Sequence, residues 1–287
     1  MTVDEIVVEF SCKGENLIGI ATTGDLSGSV GVVVVVGGPQ YRVGSHRQFV
    51  MLSRHLAARG IPAFRFDYRG MGDASGPMMS FEDVAQDLRC AIDAFMAACT
   101  SVKHVVLWGL CDGASASLMY CRSDSRVRGL VLLNPWVRDA QVQAVAQLKH
   151  YYWSRLFSGS FWLNLVSGRI RLFRTVSDLR AALAKALSGA KGDRVTQKQA
   201  FQSRMIDGWR DFSGESLVIL SDNDLTAREF EEYASRRDEW RRRLNSAGVS
   251  RASVAGADHT FSTQALRTTV SELTADWIER ELKPKLS

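Results

Sequence analysis

Proline is scarce, at 5 of 287 residues, and no stretch is repeated or of low complexity. A disordered tail, a collagenous chain and a mucin-like stalk are thereby excluded. Cysteine is odd in number and unpatterned: Cys12, Cys90, Cys99, Cys111 and Cys121 lack the paired spacing of a disulfide framework or a zinc site. No apolar run nears the roughly 18 residues that a membrane span needs; residues 30–38 and 94–99 fall well short. The opening Met1-Thr2-Val3-Asp4-Glu5 is acidic and no charged segment leads into an apolar one, so no secretory signal is expected and a reducing, cytoplasmic setting is. What is present is ordinary globular composition, 46% hydrophobic and 23% charged, in a chain long enough to bury a full core. The net charge of +5 is unevenly placed: residues 138–212 hold thirteen Lys or Arg against five Asp. A basic excess confined to one segment points to a local anionic partner rather than to nucleic acid, whose binders carry a broader basic face.

The hydrophobic periodicity alternates between strand and helix. Residues 2–12 and 15–22 predict a hairpin turning at Lys13-Gly14. The β-branched run 30–36, closed by Gly37-Gly38, predicts a strand buried on both faces. A helix from Ser45 to Gly60, a strand over 61–68 and a helix capped by Ser80 follow. Then come a strand over 104–110, a helix over 112–121 and a strand over 128–133. Residues 134–212 break the alternation with aromatic, amphipathic helical stretches. Strands at 216–220 and 250–255 and helices over 226–245 and 261–282 resume it. This order predicts a mostly parallel sheet with helices on both faces, built from 1–133 and 213–287, with residues 134–212 inserted as a helical cap after the sixth strand.

Chemistry concentrates at one junction. Gly109-Leu110-Cys111-Asp112-Gly113 matches the strand-to-helix nucleophile elbow G-x-S-x-G with Cys for Ser. A thiol there sits at a helix N-terminus, whose partial positive charge favours thiolate. The partners are expected in the order nucleophile, acid, histidine. Of the five histidines only His259 lies at the end of a late strand, in a Gly-flanked loop. Asp224 is the first choice for the acid and Asp222 the alternative, with Asp222 or Asp258 otherwise stabilising a turn. In this scheme His259 takes the Cys111 proton and Asp224 holds the imidazolium. The oxyanion would be met by the Asp112 N–H and by a second donor from Gly37-Gly38-Pro39-Gln40. Pro39 has no N–H, which leaves Gln40 or Gly38. Asp112 as the nucleophile of an epoxide- or halide-opening enzyme fails on register, one residue past the apex. The Gly-rich string 67–76 lacks the ending of a phosphate loop and reads as a structural turn.

These residues resemble the α/β-hydrolase superfamily over essentially the whole chain. Within it, Gly37-Gly38-Pro39-Gln40-Tyr41-Arg42-Val43-Gly44-Ser45-His46-Arg47, Phe66-Asp67-Tyr68-Arg69-Gly70-Met71-Gly72-Asp73 and the Cys111 elbow resemble the exosortase A system-associated hydrolases of type 1. The resemblance implies an α/β-hydrolase fold with an eight-stranded sheet, a cap and a Cys/Asp/His site; it brings no defined substrate. Gly37-Gly38 stands where the wider superfamily usually has His-Gly. The expected activity is a Cys-dependent esterase, thioesterase or acyltransferase passing through a thioester on Cys111, with no cofactor and no metal. Its substrate would be an acyl ester or thioester, carried on coenzyme A or an acyl carrier protein if the basic insertion meets a phosphate. Tyr41 and Arg42 of the first loop and Arg155 and Trp162 of the insertion are the candidate substrate contacts, with Arg169, Arg171 and Arg174 available to a carrier phosphate. The competing expectation is a non-catalytic binding or partner protein of a polysaccharide or natural-product pathway.

Overall fold

The computed structural model describes residues 2–25, 28–38, 40–138 and 200–286. Most of the expected insertion therefore lies outside the described residues, and with it Arg155, Trp162, Arg169, Arg171 and Arg174; Pro39 lies outside them too. Met1–Val137 and Ala200–Ser287 form one compact unit.

Its centre is an eight-stranded sheet: β1 (Val3–Cys12), β2 (Glu15–Gly24), β3 (Val30–Val35), β4 (Ala63–Phe66), β5 (His104–Leu110), β6 (Val127–Leu133), β7 (Glu215–Ser221) and β8 (Val249–Val254). The order across the sheet is β1-β2-β4-β3-β5-β6-β7-β8. β1 and β2 are the antiparallel hairpin, β2 meets β4 antiparallel, and all other neighbours run parallel. β3, β4 and nearly all of β5 are fully buried, as expected of strands covered on both faces.

Register decides which helix covers which face. Phe64, Val33 and Leu107 are lateral partners and share one face; Arg65, Val34 and Trp108 share the other. On the first face Phe64 stacks on Phe95 of α2 (Ala85–Ala98), ring centroids 5.3 Å apart, and on Phe66 at 6.1 Å. On the second, Trp108 meets Phe49 of α1 (Gln48–Ala58) edge-on at 5.7 Å, and its indole N–H donates to Thr274 Oγ1 of α7 (Gln264–Trp277). α3 (Asp112–Tyr120) packs beside α2, and α4 (Phe201–Arg210) packs on α3. α4 falls inside the segment expected as insertion, yet it belongs to the same compact unit as the sheet. Among the described residues no helix is long and apolar enough to cross a membrane.

Several expected boundaries are corrected. Ser80 does not cap α2: its hydroxyl accepts from Glu82 N and its carbonyl from Asp83 N, making a turn that delays the helix to Ala85. The helix expected from Ser45 begins as a short 3₁₀ turn with His46 and Arg47 at positive φ, and α1 starts at Gln48. β4 is shorter than 61–68, since Pro62 has no N–H for the ladder and offers its carbonyl to Val32 N instead. The single helix expected over 226–245 divides into α5 (Leu225–Ser235) and α6 (Asp238–Leu244). The break lets Trp240 fold back among Trp209, Phe230 and Tyr233, with the Arg237 guanidinium 3.5 Å over the Tyr233 ring.

The parallel strands β3, β5, β6, β7 and β8 all end at one edge, and every candidate site loop leaves from it. Phe64 carries the aromatic stack beneath that edge. Phe64→Ala is expected to cost about 3–5 kcal/mol in urea unfolding, whereas Met78→Ala, at a side chain 79% exposed, should stay within about 0.5 kcal/mol. Equal effects of the two substitutions would contradict this packing.

Candidate active site

The junction between β5 and α3 is a tight elbow. Cys111 has φ 59° and ψ −123°, a positive φ that a non-glycine residue adopts only when its surroundings hold it there. Those surroundings are explicit. Cys111 N donates to the Leu133 carbonyl at the end of β6, and the Cys111 carbonyl accepts from Ala114, Ser115 and Trp136 N–H groups at 3.1–3.2 Å. A Cβ on Gly109 would lie 2.5 Å from Ala114 N, and one on Gly113 would strike the Val35 carbonyl of β3. Both glycines are therefore required by close approach.

Cys111 at the apex and Cys90 in α2 are half-buried, while Cys12, Cys99 and Cys121 are buried. Burial pushes Cys12 and Cys121 up to about 12 and raises Cys99, so these three remain protonated and unreactive near neutral pH.

The acid and the histidine arrive on neighbouring strand ends. Asp224 follows β7 and caps α5, its carboxylate accepting from Thr226 N and Ala227 N at 3.2 and 3.3 Å. Its Oδ2 lies 2.9 Å from His259 Nδ1 in the loop after β8. Asp224 is 7% exposed and the His259 side chain 36%, so the pair is shielded on the acid side and open on the imidazole side. An acceptor carboxylate on Nδ1 selects the tautomer that carries its proton there, leaving Nε2 to act as base. Asp222, the alternative acid, is exposed, with its backbone carbonyl accepting from Arg228. Asp258 closes its own loop: its carboxylate accepts from Thr260 N, Ser262 N and the Ser262 hydroxyl, and the Ser262 bond foremost lowers its pKa. Buried Phe261 follows at φ 53° in the same loop.

The loop after β3 is fastened from below. The Tyr68 hydroxyl donates to the Val36 carbonyl at 2.8 Å, Arg42 N donates to Asp67 Oδ1 at 2.6 Å, and the Arg42 guanidinium bridges Asp67 and Asp73. Arg42, named as a substrate contact, is thus engaged with two carboxylates; Tyr41 beside it is 47% exposed. The Gln40 side-chain oxygen accepts from Ser45 N at 3.3 Å. The Gly-rich string 67–76 is a turn: Arg69 forks onto the buried Asp87 with two bonds of 2.8 Å. Burial raises the Asp112 pKa, opposed by the Gly38, Asp112 and Gly113 N–H groups and by the His259 charge.

Two positioning residues escaped the sequence reading. Asn134, at φ 42° just past β6, exchanges hydrogen bonds of 2.9 Å with the Ser221 hydroxyl and N–H at the end of β7. Ser221 Oγ then donates to the Asp258 carbonyl, tying the β6 and β7 ends to the histidine loop. The only local signal was an Asn directly after an apolar strand. Among the described residues no group of three or more His, Cys, Asp or Glu is placed to hold a metal ion.

The comparisons with known proteins agree with this architecture. An esterase of Pyrococcus furiosus is similar at 14% identity and TM-score 0.64, covering 96% of this chain and 91% of its own. A dienelactone hydrolase of Anabaena variabilis is similar at 13% identity and TM-score 0.61, covering 97% and 98%. At such identities the likeness is one of fold. No curated protein matches the chain. The Alpha/beta hydrolase family matches residues 32–270, more than half of the sequence, and the chain belongs to that family.

Proposed function

We propose that the protein is a Cys-dependent acyl-group hydrolase or transferase, an esterase, thioesterase or acyltransferase working through a thioester on Cys111. The observation that carries this reading is the 2.9 Å contact of Asp224 Oδ2 with His259 Nδ1 at the sheet edge where the elbow holds Cys111 at positive φ. His259 Nε2 takes the thiol proton and the thiolate adds to the acyl carbonyl. The tetrahedral intermediate collapses as His259 returns the proton to the leaving oxygen or sulfur. Water or an acceptor nucleophile, deprotonated by the same imidazole, then cleaves the thioester and restores the thiol. Asp224 keeps the ring oriented and balances the imidazolium. A thiolate nucleophile suits a reducing, cytoplasmic setting, and a thioester is open to capture by amines and thiols, so transfer competes with hydrolysis.

The substrate side of the proposal rests on charge. The segment 138–212 carries +8 while the rest of the chain is acidic, which favours acyl groups borne on a phosphate-rich carrier such as coenzyme A or an acyl carrier protein.

Cys111→Ala is expected to abolish turnover of a p-nitrophenyl ester, and Cys111→Ser to retain a small fraction of it; wild-type turnover in Cys111→Ala overturns the mechanism. Asp224→Asn should lower kcat by about 10³–10⁴ without unfolding the protein, whereas Asp222→Asn should change it less than about threefold. The reverse ranking moves the acid to Asp222. For the carrier, an acyl-coenzyme A should react faster than a neutral thioester of the same acyl group. That advantage should shrink as salt rises past about 0.1 M, where screening acts over about 10 Å. Equal rates at low salt would remove the carrier from the account.

A further inference from the structure

Residues 133–136, at the end of β6, touch both halves of the proposed chemistry. The Leu133 carbonyl accepts from Cys111 N at 2.9 Å, and Trp136 N donates back to the Cys111 carbonyl at 3.2 Å. The Trp136 carbonyl accepts in turn from the Ser115 hydroxyl of α3 at 2.6 Å. This stretch is thus fastened to the elbow on either side of Asn134, while the Asn134 side chain is engaged with β7.

Asn134 is fully buried, and its φ of 42° is a left-handed conformation that asparagine tolerates better than most residues. Its N–H donates to the Ile219 carbonyl of β7 at 3.2 Å. Its amide meets Ser221 twice: Oδ1 accepts from Ser221 N and Nδ2 donates to Ser221 Oγ, both at 2.9 Å. An amide donates and accepts at once, which a carboxylate at this position would not do. With Ser221 Oγ already accepting, its proton is directed to the Asp258 carbonyl at 3.2 Å. That carbonyl lies in the peptide plane that carries His259 N, so its orientation sets the backbone from which the imidazole hangs. Its other partner, Phe261 N at 3.3 Å, belongs to the same loop. The Asp258 carboxylate closes that loop from within through Thr260 and Ser262, which fixes its shape but not its placement against the strand ends.

We propose that Ser221, oriented by Asn134, is a positioning residue for His259: its hydroxyl holds the 258–259 peptide so that the imidazole meets the Cys111 thiol. The proposal rests on the acyl-transfer reading of Cys111. Asp224 and Ser221 hold different parts of the same residue. The Asp224 Oδ2 contact of 2.9 Å with Nδ1 sets the rotation of the ring. The Ser221 relay sets where the ring starts, and it leads back through residues 133–136 to the turn that carries the nucleophile. Base and nucleophile are thereby mounted on one buried polar network, whose members leave a partner unsatisfied when any one is removed.

The test follows single-turnover acylation of Cys111 by p-nitrophenyl acetate in the full chain, read by peptide mass, with Ser221→Ala placed in the wild-type and in the His259→Ala protein. Ser221→Ala removes the relay hydroxyl and keeps the backbone N–H that Asn134 accepts from. In the wild-type background it should lower the limiting acylation rate about tenfold or more, within the roughly 10²–10⁴ that a positioned base is worth. The ester concentration giving half that rate should stay within about twofold, since the substrate contacts are untouched. In the His259→Ala background the same substitution should change the rate less than about twofold, because no imidazole is left to misplace. Asn134→Ala breaks the relay one residue earlier and should reproduce both results; it takes the place of Ser221→Ala should that variant not fold. An unchanged limiting rate in the folded variant, or a loss of equal size in both backgrounds, overturns the proposal while leaving Cys111 as nucleophile. Alkylation of wild-type Cys111 by iodoacetamide without acylation by the ester overturns the acyl-transfer reading itself.

Discussion

The candidate site at the sheet edge depends on the backbone strain at Cys111. A positive φ at a residue with a side chain is held only by over-determination, and here five hydrogen bonds to its own N–H and C=O and two glycines at van der Waals limits supply it. The strained turn leaves Cys111 half-buried between β5 and α3, at the margin of the packed core. At the same turn β3, β5 and α3 are so close that Gly113 abuts the Val35 carbonyl, which joins the Cys111 elbow to the strand β3. Without that closeness the Asp112 carboxyl would have no loop to lean on.

Around this elbow, long-range polar ties rather than local turns set the loops. Asn134 and Ser221 stitch the ends of β6 and β7 and reach the histidine loop through the Asp258 carbonyl. Asp67 and Tyr68 hold the loop after β3 from the opposite side, with Arg42 neutralised between Asp67 and Asp73. The negative charges nearest the elbow are thereby divided into two kinds. Asp67 and Asp87 are compensated by arginine and serve structure. Asp224 is met by backbone N–H groups and by imidazole instead.

How much of this was legible follows from how local each determinant is. The Cys111 elbow was readable because the glycines that permit it lie two residues either side; His259 was proposed from its chain order and loop position, and its 2.9 Å contact with Asp224 supports that choice. The strand order followed from alternation, though β4 shortened at Pro62 and α5 parted from α6 once Trp240 found an aromatic nest that the sequence does not display. Asp224 and Asp222, two residues apart, differ by whether the residue caps α5, a signal that the helix start at Leu225 supplies only once the strand end is known. Asn134 was invisible because its partner is 87 residues away. Asp112 was read for its N–H alone; that its carboxyl would return onto Gly37 is a tertiary contact with no local pattern.

The central claim is a covalent acyl group on Cys111, and intact-mass analysis tests it most directly. The wild-type protein, quenched in acid within seconds of mixing with an activated acyl ester, should gain the mass of one acyl group, mapped to the peptide holding Cys111 and removed by hydroxylamine. His259→Ala should form the adduct slowly, if at all. An ester hydrolysed at the wild-type rate with no acyl mass on Cys111, or with the mass on another residue, would contradict the account.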